Sequence, residues 1–258
     1  MTGRHHEKST EFDFSGAALA RHWQQLHEGD REPWPKDSRV QDAWRAFHSG
    51  DFPSAVKLGS ALGAPGAAVA NKAAAVQTLY KSQSATKVLQ ILEAGIKRGE
   101  AAAGEMPDDA NIHYTLALVL GRYSQRISII KALAQGIGAK VRSHLQEALQ
   151  LRPQHAEAHV AMGLFHAEIV NKLGALAAGL TYGASTDEAL EHFERAGRLA
   201  RGSPSVQLER AHGLLLLGPA RHGAEARALF EKVASLEPRD AMEAQDIAYA
   251  SRDLAGMS

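Results

Sequence analysis

The sequence predicts an all-α protein in which pairs of helices stack into a helical-repeat solenoid. Helix-forming Ala, Leu, Glu, Gln, Lys and Arg dominate it, and alternating β-branched residues are nearly absent. Residues 143–153, 191–204 and 228–238 resemble one another: each places a bulky apolar residue three positions before a smaller one, and a proline follows. Similar segments at intervals of roughly 35 to 50 residues indicate an internal repeat, because a single helix pair cannot bury its apolar face alone.

Residues 1–36 are expected to form a short N-terminal helix and a linker, ahead of a helical-repeat domain over residues 37–258. Ser15 can cap the short helix, and a stretch rich in turn residues ends it. Ser38 with Gln41 matches a capping box, which predicts the start of the next helix. The sequence leaves open whether the N-terminal segment docks on the repeats.

Each closing segment of the repeats is preceded by a segment that suits the first helix of a pair. These first helices are predicted over residues 110–120, 156–168 and 207–217, and we expect a right-handed stack of about four to five pairs. Small residues belong where paired helices cross closely. The residues at those points are Ala117, Gly163 and Gly213.

Two repeats are longer than the ~34 residues of a tetratricopeptide repeat. The extra residues lie between the two helices of a pair, and apolar residues recur there at spacings of three and four. We therefore expect two lengthened helical hairpins whose apolar stripes pack in the core. The alternative is that the stripes contact a membrane surface or a partner. The stripes are Ile127, Ile130, Ala134, Ile137 and Val141, and Ile169, Leu173, Leu176 and Leu180.

The stretch from His113 to about Ala255 resembles the regulator of microtubule dynamics family of tetratricopeptide-like proteins. Its most specific part is STDEALEHFERA at residues 185–196. The other places are His144-Leu145 with Ala148 and Pro153, His159 with Met162-Gly163, the LLLLG run ending at Gly218, and EARALFEKVASLEP at 225–238.

This resemblance implies a helical-repeat interaction protein without enzymatic activity. Animal members of the family associate with microtubules, and some with mitochondria. This chain has His113 and His159 at positions of the first helices where the family carries aromatic residues. We also expect no membrane anchor before the repeats. The expected fold survives these departures, whereas the microtubule role is left open.

Composition argues against several classes of function. Lys plus Arg equals Asp plus Glu at 29 each. The chain therefore lacks the excess of basic residues that would predict nucleic-acid binding. The chain has no cysteine, which excludes disulfides, thiolate metal sites and cysteine nucleophiles. No secretory signal or apolar run of ~20 residues is present, so we expect a cytoplasmic protein that does not associate with membranes.

Histidine is the one residue type that suggests metal chemistry. His155, His159 and His166 can share a helix face, and three imidazoles could bind zinc. They also fall where repeat helices place half-buried packing residues, and no HExxH motif accompanies them, so the structural role is favoured and no cofactor is expected. Phosphate-binding loops and a GxSxG nucleophile motif are absent, so no enzymatic activity is predicted.

The inner face of such a stack suggests the function. First helices line a concave groove that suits a peptide or a helix, so we expect a protein-binding adaptor or scaffold. Tyr114, Arg122 and Arg210 are the predicted anchors, because Tyr and Arg are enriched at interface hot spots. The predicted partner-binding residues are Asn111, Tyr114, Leu118, Arg122, Glu157, Val160, Leu164, Gln207, Arg210 and Leu214.

Overall fold

A computed structural model of the protein describes residues 12–80 and 83–257. Residues 1–11, part of the predicted N-terminal segment, lie outside the described residues. The described part is helical, with one 3-10 turn at Ala64–Gly66 and no strand. The helices are α1 (Ala18–Leu26), α2 (Ser38–His48), α3 (Phe52–Ala61), α4 (Ala67–Tyr80), α5 (Ala85–Glu105), α6 (Ala110–Ser124), α7 (Ile129–Ala134), α8 (Ile137–Leu151), α9 (Ala156–Leu173), α10 (Ala175–Tyr182), α11 (Thr186–Leu199), α12 (Pro204–Leu217), α13 (Pro219–Ala234) and α14 (Ala241–Gly256).

The helices pack as consecutive pairs. Across the described ranges the pairs are α2/α3, α4/α5, α6/α8, α9/α11 and α12/α13, and α14 packs on the last of them. Each first helix also contacts the neighbouring pair, so the apolar residues join into continuous core regions. The predicted all-α helical-repeat solenoid is confirmed.

Polar side chains at the loop ends determine where the first helices begin. Asp109 caps α6 by accepting hydrogen bonds from Asn111 N and Ile112 N, and Ser203 caps α12 by accepting one from Val206 N. For α2 the predicted cap was wrong by one residue. Asp37 accepts from Arg39 N, while Gln41 bonds to the Pro35 carbonyl instead of closing a capping box.

The two lengthened hairpins are present, but their insertions form separate short helices rather than longer paired ones. Gly136 (φ 62°) precedes α8 and Gly174 (φ 78°) separates α9 from α10. Both lie in the left-handed region, which glycine adopts at little cost and which interrupts a helix. We call the short helices α7 and α10 the hairpin tips.

The tips expose most of the apolar stripes. Ile137 and Val141 are buried as expected, and Ile127 and Ile169 pack against the core. Core packing was wrong for the remaining stripe residues, because the glycine breaks turn these short helices out of the stack. The exposed ones are Ile130, Ala134, Leu173, Leu176 and Leu180.

The N-terminal segment docks on the repeats, which the sequence had left open. Leu19 and Trp23 of α1 are buried against α2 and α3 residues in one apolar cluster. The chain then runs as a strap, residues 27–36, across the first helices, with a turn at 27–30 followed by irregular chain. Its backbone is held by Glu157 N, which donates to the Gly29 carbonyl (3.1 Å), and by Arg152, which donates to the Arg31 carbonyl (2.9 Å).

The C-terminal helix reaches back to the first pair. His48 of α2 lies 2.6 Å from Asp240 at the start of α14, and Tyr249 donates to the Leu79 carbonyl. The last helix of the array is therefore in contact with the first pair.

Candidate functional site

The inner face formed by α6, α9 and α12 has two parts, one at the N-terminal ends of these helices and one at their C-terminal ends. The strap covers the N-terminal ends of these helices, and an open cavity lies toward their C-terminal ends. The strap is acidic: Glu28 accepts from Gly202 N before α12, and Glu32 accepts from Asn111 at the start of α6. The helix dipole stabilises a carboxylate at a helix N-terminus, which favours Glu28 at α12. At Glu32, burial and the nearby carboxylates of Asp30 and Asp109 raise the pKa well above its ordinary value.

A buried ion cluster anchors the strap. Lys72 of α4 lies 2.5 Å from an Asp30 oxygen and 2.9 Å from a Glu157 oxygen, and all three side chains are buried. Burial alone would lower the pKa of Lys72, but the charges of Asp30 and Glu157 outweigh it and raise that pKa. Burial raises the pKa of Glu157, whereas His27 and Lys72 outweigh burial at Asp30 and hold its pKa well below the ordinary value.

The open part of the inner face is a mainly apolar cleft of about 340 Å³. Leu118, Leu164 and Leu216 of the three first helices form its floor, and Val141 and Leu145 of α8 form one wall. Leu133 of the first hairpin tip and Leu173 beside the second lie at its edge and are exposed. An apolar concavity with a few polar groups is the usual form of a binding site in a folded protein.

Ion pairs and hydrogen bonds frame the cleft. Arg122 of α6 lies 2.8 Å from Glu209 of α12 and so bridges the inner face over α9. Glu168 of α9 accepts from Gln125 at 2.7 Å and pairs with Lys172 at 2.9 Å. These groups are partly exposed, so their ion pairs contribute little to stability.

Six of the ten predicted partner-binding residues line this cleft. Leu118, Arg122 and Leu164 are half-buried and accessible from it. The other three, Tyr114, Glu157 and Val160, are buried in its floor. Tyr114 packs against His155 with 4.7 Å between ring centroids and a tilt of 54°, so the anchor predicted at Tyr114 makes contacts within the chain.

The other four predicted residues are not on the open inner face, which corrects the sequence assignment. The strap covers Asn111, whose amide donates to Glu32. Gln207 is 1% exposed and donates to the Ala200 carbonyl. Arg210 points toward α11 and α13, since its guanidinium overlies Gly197 and pairs with Glu225, and Leu214 belongs to the core.

Several cleft residues were not among the predicted partner-binding residues. Leu133, Leu173 and Glu209 line or edge the cleft. The first two belong to or adjoin the apolar stripes predicted to pack in the core. Their signal was the length of the insertions, because residues beyond the paired helices have no helix to pack against.

The family is decided by a comparison with protein-family models. The model described as regulator of microtubule dynamics protein 1-3 matches residues 67–254, which is most of the chain. The chain belongs to this family. The match covers α4 to α14 and therefore includes the cleft and both hairpin tips.

A solved structure agrees with the fold. The crystal structure of a thermophilic TPR protein from Thermus thermophilus superposes with a TM-score of 0.58 over 83% of this chain and 98% of that chain, at 16% identity. Among curated proteins none matches this member of the family. In the described ranges no helix has the length and apolar character needed to cross a membrane.

The three histidines considered as metal ligands do not form a site together. His155 is buried and uses both ring nitrogens, one with Asn111 Oδ1 (2.8 Å) and one with Ala158 N (3.1 Å). His159 also uses both, with the Pro153 carbonyl and with His192. His166 lies apart from them, beside α11, and burial lowers its pKa to about 4.

His155 predicts a dependence of stability on pH. Burial lowers its pKa from 6.5 to about 3, so between these values the unfolded chain binds a proton that the folded chain does not. Its contribution to stability is present above pH 6.5 and is lost as the pH falls toward 3. One such proton changes the free energy of unfolding by about 1.4 kcal/mol per pH unit.

We expect His155→Asn, which keeps a capping side chain, to flatten the pH profile of urea denaturation between pH 6.5 and 5. Wild type should lose stability more steeply over this range. Superimposable slopes for the two proteins would contradict a neutral buried His155.

Proposed function

We propose that this chain is a non-enzymatic adaptor that holds an apolar segment of a partner protein in the cleft between its two hairpin tips. The observation that carries the proposal is the open apolar cleft at the C-terminal ends of α6, α9 and α12, framed by Arg122 and Glu209. A cleft between helices suits an amphipathic helix, whose apolar side chains enter while its polar face meets the charged rim.

The strap explains why binding is assigned to this half of the inner face. At the N-terminal ends of the first helices, the polar groups contact Glu28, Asp30 and Glu32 of the same chain. At the C-terminal ends, apolar side chains face the cleft, and Leu133 and Leu173 remain exposed. Removing that apolar surface from water favours association by about 25 cal/mol per Å².

The binding experiment uses variants that change the exposed edge without touching the core. Peptides of amphipathic helical pattern are selected by display on the wild-type chain, and their affinities are measured by fluorescence anisotropy. Leu133→Glu/Leu173→Glu should weaken the selected peptides at least about tenfold, because a carboxylate would have to be desolvated in an apolar site. The matched control is Leu58→Glu, an exposed leucine on α3 away from the cleft.

Equal affinities for the wild type and the cleft variant, or equal losses in the Leu58 control, would overturn the cleft assignment. The family name makes microtubules the first partner to test. Co-pelleting with polymerised tubulin, reduced by the cleft variant and not by Leu58→Glu, would identify that partner.

A second candidate function is contact with a membrane surface. It is favoured by Ile130, Leu176 and Leu180, which are 78%, 80% and 82% exposed on the hairpin tips. Flotation with liposomes that is lost in Ile130→Glu/Leu176→Glu/Leu180→Glu, together with unchanged peptide binding, would support this function over the adaptor.

A further inference from the structure

Three side chains with metal-binding groups meet on the outer side of the second lengthened hairpin. Glu188 and His192 are four residues apart on α11, a spacing that places both on one helix face. His166 of α9 faces them, and one ligand atom from each residue lies within 4.8 Å of the others. Two imidazoles and a carboxylate are a common zinc ligand set.

Hydrogen bonds determine which ring nitrogen of His192 carries the proton. His159 Nε2 lies 3.1 Å from the Pro153 carbonyl, to which only an N–H can donate, so Nδ1 of neutral His159 is an acceptor. His192 Nδ1 lies 2.8 Å from that acceptor and therefore carries the proton. His192 Nε2 is left with its lone pair available, which is the form that binds a metal ion.

His166 requires a small adjustment. Its Nδ1 accepts a long hydrogen bond of 3.3 Å from Ser185 N. Metal binding breaks this hydrogen bond. If the metal binds Nδ1, that atom can no longer accept from Ser185 N. If the metal binds Nε2, the ring proton is on Nδ1, which then cannot accept either. The loss is small, since a hydrogen bond of this length is weak. The Ser185 amide therefore reports directly whether the metal ion is bound.

The surroundings leave room for a further ligand. A cavity of about 330 Å³ opens beside the three side chains and is also lined by Gln146, Gln150 and Arg142. Water can therefore complete a four-coordinate site, as it does where three protein ligands bind zinc. Arg142 donates to the Tyr182 carbonyl at 2.9 Å, and its positive charge opposes a cation in the cavity.

We propose that His166, Glu188 and His192 bind one divalent transition-metal ion, with water as the fourth ligand. The ion joins α9 to the start of α11 and so fixes the base of the second lengthened hairpin. His159 is a positioning residue that sets the tautomer of His192. The site lies outside the cleft and does not depend on the proposed adaptor function.

A histidine in the preceding repeat provides a matched control. His144 of α8 lies 3.0 Å from His113, which bonds to the Pro107 carbonyl in the same arrangement as His159 and His192. Among the described residues, the group of three possible ligands forms around His192 and not around His144. His144→Gln therefore perturbs an equivalent histidine pair without changing the proposed ligands.

The experiment titrates the full chain, made without an affinity tag, with Zn²⁺ in a calorimeter. All proteins carry His5→Ala/His6→Ala, so that the two N-terminal histidines do not contribute. We expect one ion per chain, at least about tenfold weaker binding in Glu188→Gln and His192→Gln, and wild-type affinity in His144→Gln. His159→Ala should weaken binding roughly 10- to 100-fold with all three ligands present. Arg142→Gln should strengthen it.

Glu188 is exposed, so its variant tests the site without disturbing the fold. Zn²⁺ should also shift the Ser185 amide resonance and raise the melting temperature by about 5–10 °C when its free concentration exceeds Kd about 100-fold. The proposal is overturned if no stoichiometric Zn²⁺ binds, or if Glu188→Gln and His144→Gln bind it equally well. Binding with no change at Ser185 would also contradict this location.

Discussion

Lys72→Met is expected to lower the free energy of unfolding by about 3–5 kcal/mol, because it removes the buried cation that Asp30 and Glu157 share. Lys72 contacts Asp30 of the strap and Glu157 of α9, and the three side chains are almost completely excluded from water. Methionine preserves much of the volume of lysine, so the effect reports charge rather than a cavity. Urea denaturation of both proteins measures the difference.

Two further variants separate this effect from ordinary ion pairing. Lys140→Met removes an exposed pair with Glu100 at 2.9 Å and should cost less than about 1 kcal/mol. The triple variant Lys72→Met/Asp30→Asn/Glu157→Gln should regain most of the loss, because neutral groups can replace a buried ion cluster at little cost. If Lys72→Met and Lys140→Met are equally stable, the cluster does not anchor the strap.

Hydrogen exchange tests which part of the chain is destabilised by Lys72→Met. Amides of residues 27–36 should exchange faster in Lys72→Met, while those of α12 and α13 keep their protection, because the strap has fewer other anchors than a core helix. Acceleration spread evenly over the whole chain would indicate global destabilisation without release of the strap.

The helices and their pairing were predictable from sequence because both rest on local signals. Periodic apolar residues identify the inward face of a helix, and caps such as Asp109 and Ser203 mark its start. Likewise, glycines at 163 and 213 marked the close crossings. The strap has no comparable signal. Asp30 meets Lys72 across 42 residues of chain, and single charged residues carry no periodicity.

The candidate site shows the same limit. Asn111 and Leu118 both belong to α6 and were assigned to one groove, and helical spacing gives no reason to separate them. The strap covers the first and the cleft exposes the second, so position along the helix decides which is accessible. Periodicity predicts which way a side chain points, but it does not predict what covers it.

Phe193→Ala is expected to lower the free energy of unfolding by about 3–5 kcal/mol, the cost of removing a buried aromatic ring. Phe193 of α11 is 2% exposed and lies between Gly163 of α9 and Gly213 of α12. The ring therefore fills the space where two repeats meet. Leu190→Ala, a half-buried change on the same helix, should cost clearly less in the same urea denaturation experiment.

Gly213→Ala then tests the packing by the sign of its effect. A methyl group at Gly213 would overlap the Phe193 ring, so in the wild-type chain this change should destabilise by about 1–3 kcal/mol. In the Phe193→Ala background the methyl group enters vacated space, and alanine favours helix over glycine by up to about 1 kcal/mol. The same substitution should then stabilise. If Gly213→Ala has the same sign in both backgrounds, the ring and the glycine do not share this space, and the crossing of α9, α11 and α12 rests on other residues.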